Sequence, residues 1–270
     1  MINGKYKRIV AYGCSFTAGD ELADSLVLGL PEEEIDLLKR SGISRNDLYG
    51  NLYSECIRIG KNLSWVRWLA DRYNVPYSNR AHPGGSIQQM VYRIERDYYN
   101  GLTNDDDLVI VGLTSLYRWF QFDDTGQERA WVLTSEYPDI AEFNQKLVEY
   151  YANPQNVLWY YQLHLNYMQM LADKRKNIFA VHAISPFSVE VISRIHPTQQ
   201  WNNADPKAFK SDFLKTIDSF KYPFILNHDY GMGKLYAHLP KEEATHGYGH
   251  PKLKYQKEFA NIIADWIAEK

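Results

Sequence analysis

Two short segments near opposite ends of the chain hold residue types that together can move an acyl group. The first is Tyr12-Gly13-Cys14-Ser15-Phe16-Thr17-Ala18-Gly19-Asp20. It follows an apolar run, and a serine just past a buried strand, with glycine two places before it, is well placed to be an exposed nucleophile. Backbone N–H groups in such a turn, near a helix start, can bind an oxyanion. Gly-x-Ser after a strand is equally a plain turn or a phosphate loop, so this segment alone leaves the three readings open. The second segment is His246-Gly247-Tyr248-Gly249-His250-Pro251, directly before the last helical stretch. Its proline and glycines shape a loop, and a neutral imidazole at His250 can take a proton from a serine hydroxyl. Taken alone, His250 is one of eight histidines and reads as a surface residue.

Other reactive residues point less far. Cys14 precedes the candidate nucleophile, and a free cysteine there is expected to turn back toward the sheet as a small buried hydrophobe. His164, His182, His196, His228, His238, His246 and His250 form no H-x-x-x-H pattern on a helix with an acid, and the chain has no C-x-x-C pair. No metal is therefore expected. No G-x-G-x-x-G or Walker pattern follows a strand, so no nucleotide cofactor is expected either. Arg118 has two readings: a guanidinium that binds an anionic group of a substrate, or a hairpin residue paired with Asp123 or Asp124. Tyr117 and His82 are grouped with Arg118 as substrate contacts, His82 as a loop residue and not as a second base. Arg80 raises the same question as Arg118.

The elements that must position these residues follow from hydropathy. Continuous apolar runs at 7–13 (KRIVAYG), 75–79 (VPYSN), 107–113 (DLVIVGL), 178–183 (IFAVHA) and 222–227 (YPFILN) suit strands buried on both faces. Helical patterns lie between them at 64–73, 86–99, 137–151, 154–172, 206–220 and 251–269, the last with Leu253, Phe259, Ile262, Ile263, Trp266 and Ile267 on one face. This alternation predicts an α/β fold with a doubly wound parallel sheet of five strands and helices on both faces. Residues 20–63, 118–135 and 184–205 break the pattern. The second of these reads as a hairpin turning at Asp124-Thr125-Gly126. All three follow strands, so they are expected at the carboxyl edge of the sheet, where open parallel sheets bind ligands.

Composition narrows the class. The 270 residues carry 30 Lys and Arg against 33 Asp and Glu, a formal net of −3, with 45% hydrophobic residues. These are globular values without the basic excess that would draw the whole surface to nucleic acid or an anionic membrane. No apolar run approaches the ~20 residues of a membrane span, and the N-terminus reads as a first strand and not as a signal peptide. Two cysteines make no disulfide framework, which fits a reducing, cytoplasmic setting. Aromatics reach 14%. This is either an aromatic core or an aromatic-lined groove for a flat ligand such as a sugar.

Taken together, the two segments resemble the SGNH (GDSL-type) hydrolases, whose short sequence blocks occur in fixed order on a flavodoxin-like sheet. Gly13-Cys14-Ser15-Phe16 matches block one, with Ser15 as nucleophile. Residues 79–86 (NRAHPGGS) match block two, with Gly84 at the oxyanion glycine. Gly112-Leu113-Thr114-Ser115 matches block three, and His250-Pro251 matches block five. The resemblance spans nearly the whole chain in order and spacing more than in letters. It implies one domain over 1–270 with insertions at about 20–63 and 118–135. The GCSFTAG form is similar to that of divergent phage and bacterial members, which would allow a virion-associated protein.

Two positions depart from the family pattern. Thr114 stands where the family has the Asn oxyanion donor, and loss of such a donor can cost ~10²–10³ in rate. Gly247 stands where the family has the Asp that orients the histidine, a loss worth up to ~10⁴ in a serine protease triad. A backbone carbonyl, Glu243 or Asp229 are the substitutes the sequence offers. The resemblance implies a serine hydrolase acting on a small ester, in first place an O-acyl (acetyl) group on a carbohydrate. Ser15 and His250 would be catalytic, the Ser15 and Gly84 amides and Thr114 would hold the oxyanion, and the ester substrate would be the partner. The alternative is a weak or inactive member of the fold that binds glycans or belongs to a phage particle. An acyltransferase using the same Ser–His pair is a third.

Overall fold

In the computed structural model the described residues are 5–114, 118–122, 125–132, 154–183, 222–227 and 231–270. The sheet that organises them is parallel. It consists of β1 (Arg8–Gly13), β2 (Tyr77–Asn79), β3 (Asp107–Leu113) and β6 (Ile178–His182), in the order β2-β1-β3-β6. β1 runs beside β2 from Ile9↔Tyr77 to Ala11↔Asn79 and beside β3 from Arg8↔Asp107 to Gly13↔Gly112. β3 pairs with β6 from Val109↔Ile178 to Leu113↔His182. Every residue of β3 is buried, as a central strand covered on both faces must be.

The fifth strand expected at 222–227 is reduced to one parallel bridge, Ala180↔Ile225. Ala180 donates to Phe224 O at 2.7 Å and accepts from Leu226 N at 2.9 Å, while Ile225 N bonds back to Tyr222 O at 3.0 Å. Residues 222–225 thus close into a turn with Pro223 at its second position, and the turn ends the extended run on that side of the bridge. Among the described residues the sheet has four strands and not five, and the α/β class and parallel direction stand as expected.

Helices cover the sheet: α6 (Trp65–Tyr73), α7 (Ile87–Tyr99), α8 (Pro154–Arg175) and α11 (Leu253–Ala268). Ser86 caps α7 by accepting Gln89 N at 3.2 Å. Ser64, at the N-cap of α6, instead donates to Lys61 O at 3.1 Å and accepts from Asn79 at 2.9 Å. Trp65 meets Phe259 edge-on at 5.8 Å, joining α6 to α11. Tyr12, Trp65, Tyr161 and Phe259 are almost fully buried, so much of the aromatic content is core.

Segment 20–63 is not an irregular loop. It forms α2 (Asp24–Leu28), α3 (Glu32–Arg40), α4 (Arg45–Tyr49), a 3-10 turn and α5 (Tyr53–Gly60). The expected hairpin is present as β4 (Arg118–Phe122) and β5 (Glu128–Val132), antiparallel from Arg118↔Val132 to Phe122↔Glu128. It lies on α7, where Glu128 accepts from Arg93 at 2.6 Å and Gln89 at 3.0 Å, and Tyr92 meets Phe122 at 5.1 Å. The helical patterns at 137–151 and 206–220 and the loop at 184–205 fall outside the described residues. Among the described residues no helix is long and apolar enough to cross a membrane.

Candidate active site

β1 ends at Gly13, and the chain turns at once into α1 (Ser15–Ala18), a single helical turn capped by Cys14 and closed by Gly19 at φ 73°. Thr17 N and Ala18 N both bond to Cys14 O, at 3.0 and 2.9 Å. The tightness of this junction has a steric cause. Thr17 Oγ1 would lie 2.3 Å from a Cβ on Gly13 and 2.1 Å from one on Gly112, so the two strands meet Thr17 through bare glycines. Cys14 is fully buried in the core, which removes it as a nucleophile. Ser15, 5% exposed, begins the turn at the carboxyl edge of β1.

The loop after β2 closes on the same turn. His82 N donates to Gly13 O at 3.0 Å, and a Cβ on Gly85 would stand 2.9 Å from that same oxygen. Asn79 pins the loop by donating to Thr17 O at 2.7 Å and accepting from Ala81 N at 3.1 Å. Gly84, at φ 80°, therefore lies next to a residue in contact with Gly13, and among the described residues its N–H has no acceptor. Thr114 follows β3, the neighbour of β1, and among the described residues its buried Oγ1 has no hydrogen-bond partner.

His250 comes from the far end of the chain and meets this turn. Residues 246–250 fold into a tight loop, with His246 N bonded to His250 O at 2.8 Å and Gly249 N to His246 O at 2.9 Å. The His250 ring lies 5.0 Å from the ring of Phe16, the residue after Ser15. Its Nδ1 is 2.6 Å from Glu21 Oε2, and its Nε2 is 3.7 Å from Asp20 Oδ2. A carboxylate at Nδ1 fixes the proton on that nitrogen and leaves the Nε2 lone pair free to act as a base. Among the described residues no hydrogen bond engages the Ser15 hydroxyl.

The carboxylate that meets His250 Nδ1 is that of Glu21 and not Glu243, and Asp229 lies outside the described residues. Its Oε2 takes His250 N–H at 3.1 Å as well as Nδ1, and its Oε1 takes Lys39 Nζ at 2.6 Å and Tyr248 N–H at 3.0 Å. Burial raises the Glu21 carboxyl, but the bonds and charges of His250 and Lys39 outweigh it and hold the group well below the usual carboxylate range. Lys39 is itself fully buried and also bonds Asp24 at 2.6 Å, which accepts from Tyr49 at 2.7 Å. A Cβ on Gly247 would stand 2.3 Å from Lys39 Cβ and 2.9 Å from Asp36 O. An aspartate at Gly247 is thus excluded by the helix that brings Lys39, and that same lysine secures the replacement. Glu21 sits at φ 72°, an unusual conformation for a residue other than glycine, found where surrounding contacts overrule local preference.

The remaining candidates divide. Arg80 is structural: its guanidinium reaches buried Asp97 at 2.5 Å, and Asp97 also accepts from Tyr12 at 2.9 Å. Arg118 opens β4, and among the described residues its buried Nη1 has no hydrogen-bond partner. Its proposed pairing with Asp123 or Asp124 lies outside the described residues, as does Tyr117. His82 is exposed, with Nδ1 2.6 Å from Pro83 O. Glu32, Asp36 and His246 bring three possible metal-ligand atoms within 4.8 Å of one another. Lys252 lies 3.5 Å from Glu32, and Arg40 and Lys39 lie 3.9 and 4.0 Å from Asp36, so this cluster is already balanced by the protein's own cations.

No family model and no curated protein matches the chain. Solved structures that resemble it include a carbohydrate esterase whose active site displays divergent catalytic and non-catalytic binding functions, at 11% identity and a TM-score of 0.41. The match covers 98% of this chain but 65% of that esterase, so the chain spans less than two thirds of its length. LAE5, an α/β hydrolase from the metagenome of Lake Arreo, is 13% identical with a TM-score of 0.46, over 100% of this chain and 96% of that one. A protein described as a GDSL-like lipase, from Parabacteroides merdae, is 14% identical with a TM-score of 0.45, over 100% and 99%.

Proposed function

We propose that the protein is a serine hydrolase of the SGNH type that cleaves a small ester. Ser15 Oγ attacks the ester carbonyl carbon while His250 Nε2 takes its proton. The tetrahedral oxyanion is held by the Ser15 and Gly84 N–H groups and the Thr114 hydroxyl. His250 then returns the proton to the departing alcohol, and water, activated by the same nitrogen, releases the acid and restores Ser15. Glu21 is the third member of the triad. It keeps the imidazole in the right tautomer and stabilises the imidazolium that forms. An O-acetyl group on a carbohydrate is the preferred substrate class, on the family resemblance.

The observation that carries this reading is the contact of His250 with Glu21, made beside the Ser15 turn by a residue 229 positions away. A surface histidine has no need of a buried carboxylate secured by a buried lysine. The test is hydrolysis of 4-nitrophenyl acetate and acetylated sugars by wild type and Ser15→Ala. Turnover by wild type that is lost in folded Ser15→Ala is expected. Equal rates in the two proteins, or no hydrolysis across the panel, would remove the proposal and favour a binding module on the same fold.

A further inference from the structure

The two sides of the Ser15 turn differ in charge. On the His250 side Asp20, Glu21, Asp24 and Asp36 gather around Lys39 and Arg45. On the β2 side the cations outnumber their partners. Arg80 and Arg96 share Asp97, and Arg93 and Arg96 share Glu128. Lys61 has neither. It is partly buried, and among the described residues no carboxylate lies within ion-pair distance of it. Burial, then the Arg93 and Arg80 guanidiniums, hold its ammonium below its usual pKa.

The placement of Lys61 is fixed by backbone contacts to the site. Its neighbour Gly60 abuts Gly19 at the end of α1, so closely that a Cβ on Gly19 would stand 2.3 Å from Gly60 O. Its carbonyl accepts from Ser64, which in turn holds Asn79 at the end of β2. Arg118 is the corresponding cation beyond β3: it lies four residues after Thr114, and among the described residues its buried Nη1 has no acceptor. In the order β2-β1-β3 the turn bearing Ser15 lies between them. Partly desolvated cations without counter-ions cost stability, and they raise the local concentration of anions.

We infer that the ester substrate bears a carboxylate away from the scissile bond, and that Lys61 and Arg118 at the carboxyl edge of the sheet receive it. This inference rests on the hydrolase reading for its substrate but not for its anion site. Arg118 offers a planar fork suited to a carboxylate and Lys61 a point charge. A neutral acyl sugar would leave both unmatched.

The test compares 4-acetoxybenzoate with its uncharged methyl ester, methyl 4-acetoxybenzoate, as substrates of wild type, Lys61→Gln and Arg118→Gln. The preference for the charged ester, as a ratio of kcat/KM values, is expected to fall about tenfold in each variant, equivalent to ~1.4 kcal/mol. It should be kept in Lys61→Arg, and it should weaken with salt in wild type. A ratio that is unchanged in both glutamine variants overturns the inference. If neither ester is cleaved, calorimetric binding of 4-acetoxybenzoate to Ser15→Ala decides the anion site independently of the hydrolase reading. Binding that is lost on adding Lys61→Gln or Arg118→Gln upholds it, and absence of binding overturns it.

Discussion

Glu21→Gln separates an orienting carboxylate from a merely structural one. Gln keeps the size of Glu and an oxygen for Lys39 and Tyr248 N–H. Its NH₂, however, then faces both the His250 backbone N–H at 3.1 Å and Nδ1 at 2.6 Å. The backbone N–H cannot change, so the imidazole adjusts by moving its proton to Nε2. That tautomer cannot accept the Ser15 proton. In a serine protease triad the equivalent change lowers kcat by about 10⁴, which is ~5 kcal/mol in the barrier. We expect a loss of about 10³–10⁴ in kcat here, with KM little changed. The cost in stability is smaller, about 1–3 kcal/mol, because Lys39 retains Asp24 at 2.6 Å. The assay is turnover of 4-nitrophenyl acetate near neutral pH, with thermal unfolding recorded on the same samples. A folded Glu21→Gln protein within about threefold of wild-type kcat would refute the role given to Glu21.

Three further outcomes follow from the same contacts. Thr114→Val removes a buried hydroxyl that has no partner among the described residues; kcat should fall by about 10²-fold, while the melting temperature holds or rises, and a loss of stability with normal kcat would contradict the oxyanion assignment. Gly13→Ala should destabilise by about 1–3 kcal/mol because its new methyl would meet Thr17 Oγ1 at 2.3 Å; adding Thr17→Ala should recover much of that in a double-mutant cycle read by urea unfolding, and strict additivity would count against this contact. Glu21, its carboxyl held below its ordinary 4.5, stabilises the fold fully above that value and loses this contribution as pH falls toward its folded value. The wild-type melting temperature should therefore drop more steeply than that of Glu21→Gln between about pH 5 and about pH 3, and parallel curves would disprove the linkage.

The parts of the candidate site that are legible in the sequence are those encoded locally. Ser15 follows an apolar run and a glycine, and His250 precedes a proline and a helix, so a strand end and a helix start announce them. The parallel sheet follows from uninterrupted apolar runs such as 107–113. Glu21 was not legible for three reasons. It lies in a short turn between α1 and α2, it adopts a backbone conformation that its residue type disfavours, and its partner is at the other end of the chain. Only coordinates show that Gly247 lacks a side chain because Lys39 occupies the space. Lys61 was equally silent, since an unpaired lysine is defined by the charges around it. The apolar run at 222–227 predicts a full strand from hydropathy, whereas residues 222–225 close into a turn with Pro223 at its second position.

The central claim is that Ser15 is a nucleophile activated by His250. The most direct measurement is reaction with a fluorophosphonate probe, followed by peptide mapping by mass spectrometry. One adduct per chain on Ser15, absent from Ser15→Ala and formed far more slowly in His250→Gln, is the predicted result. Folded wild-type protein that stays unlabelled at saturating probe, or that carries the adduct on another residue, would contradict it.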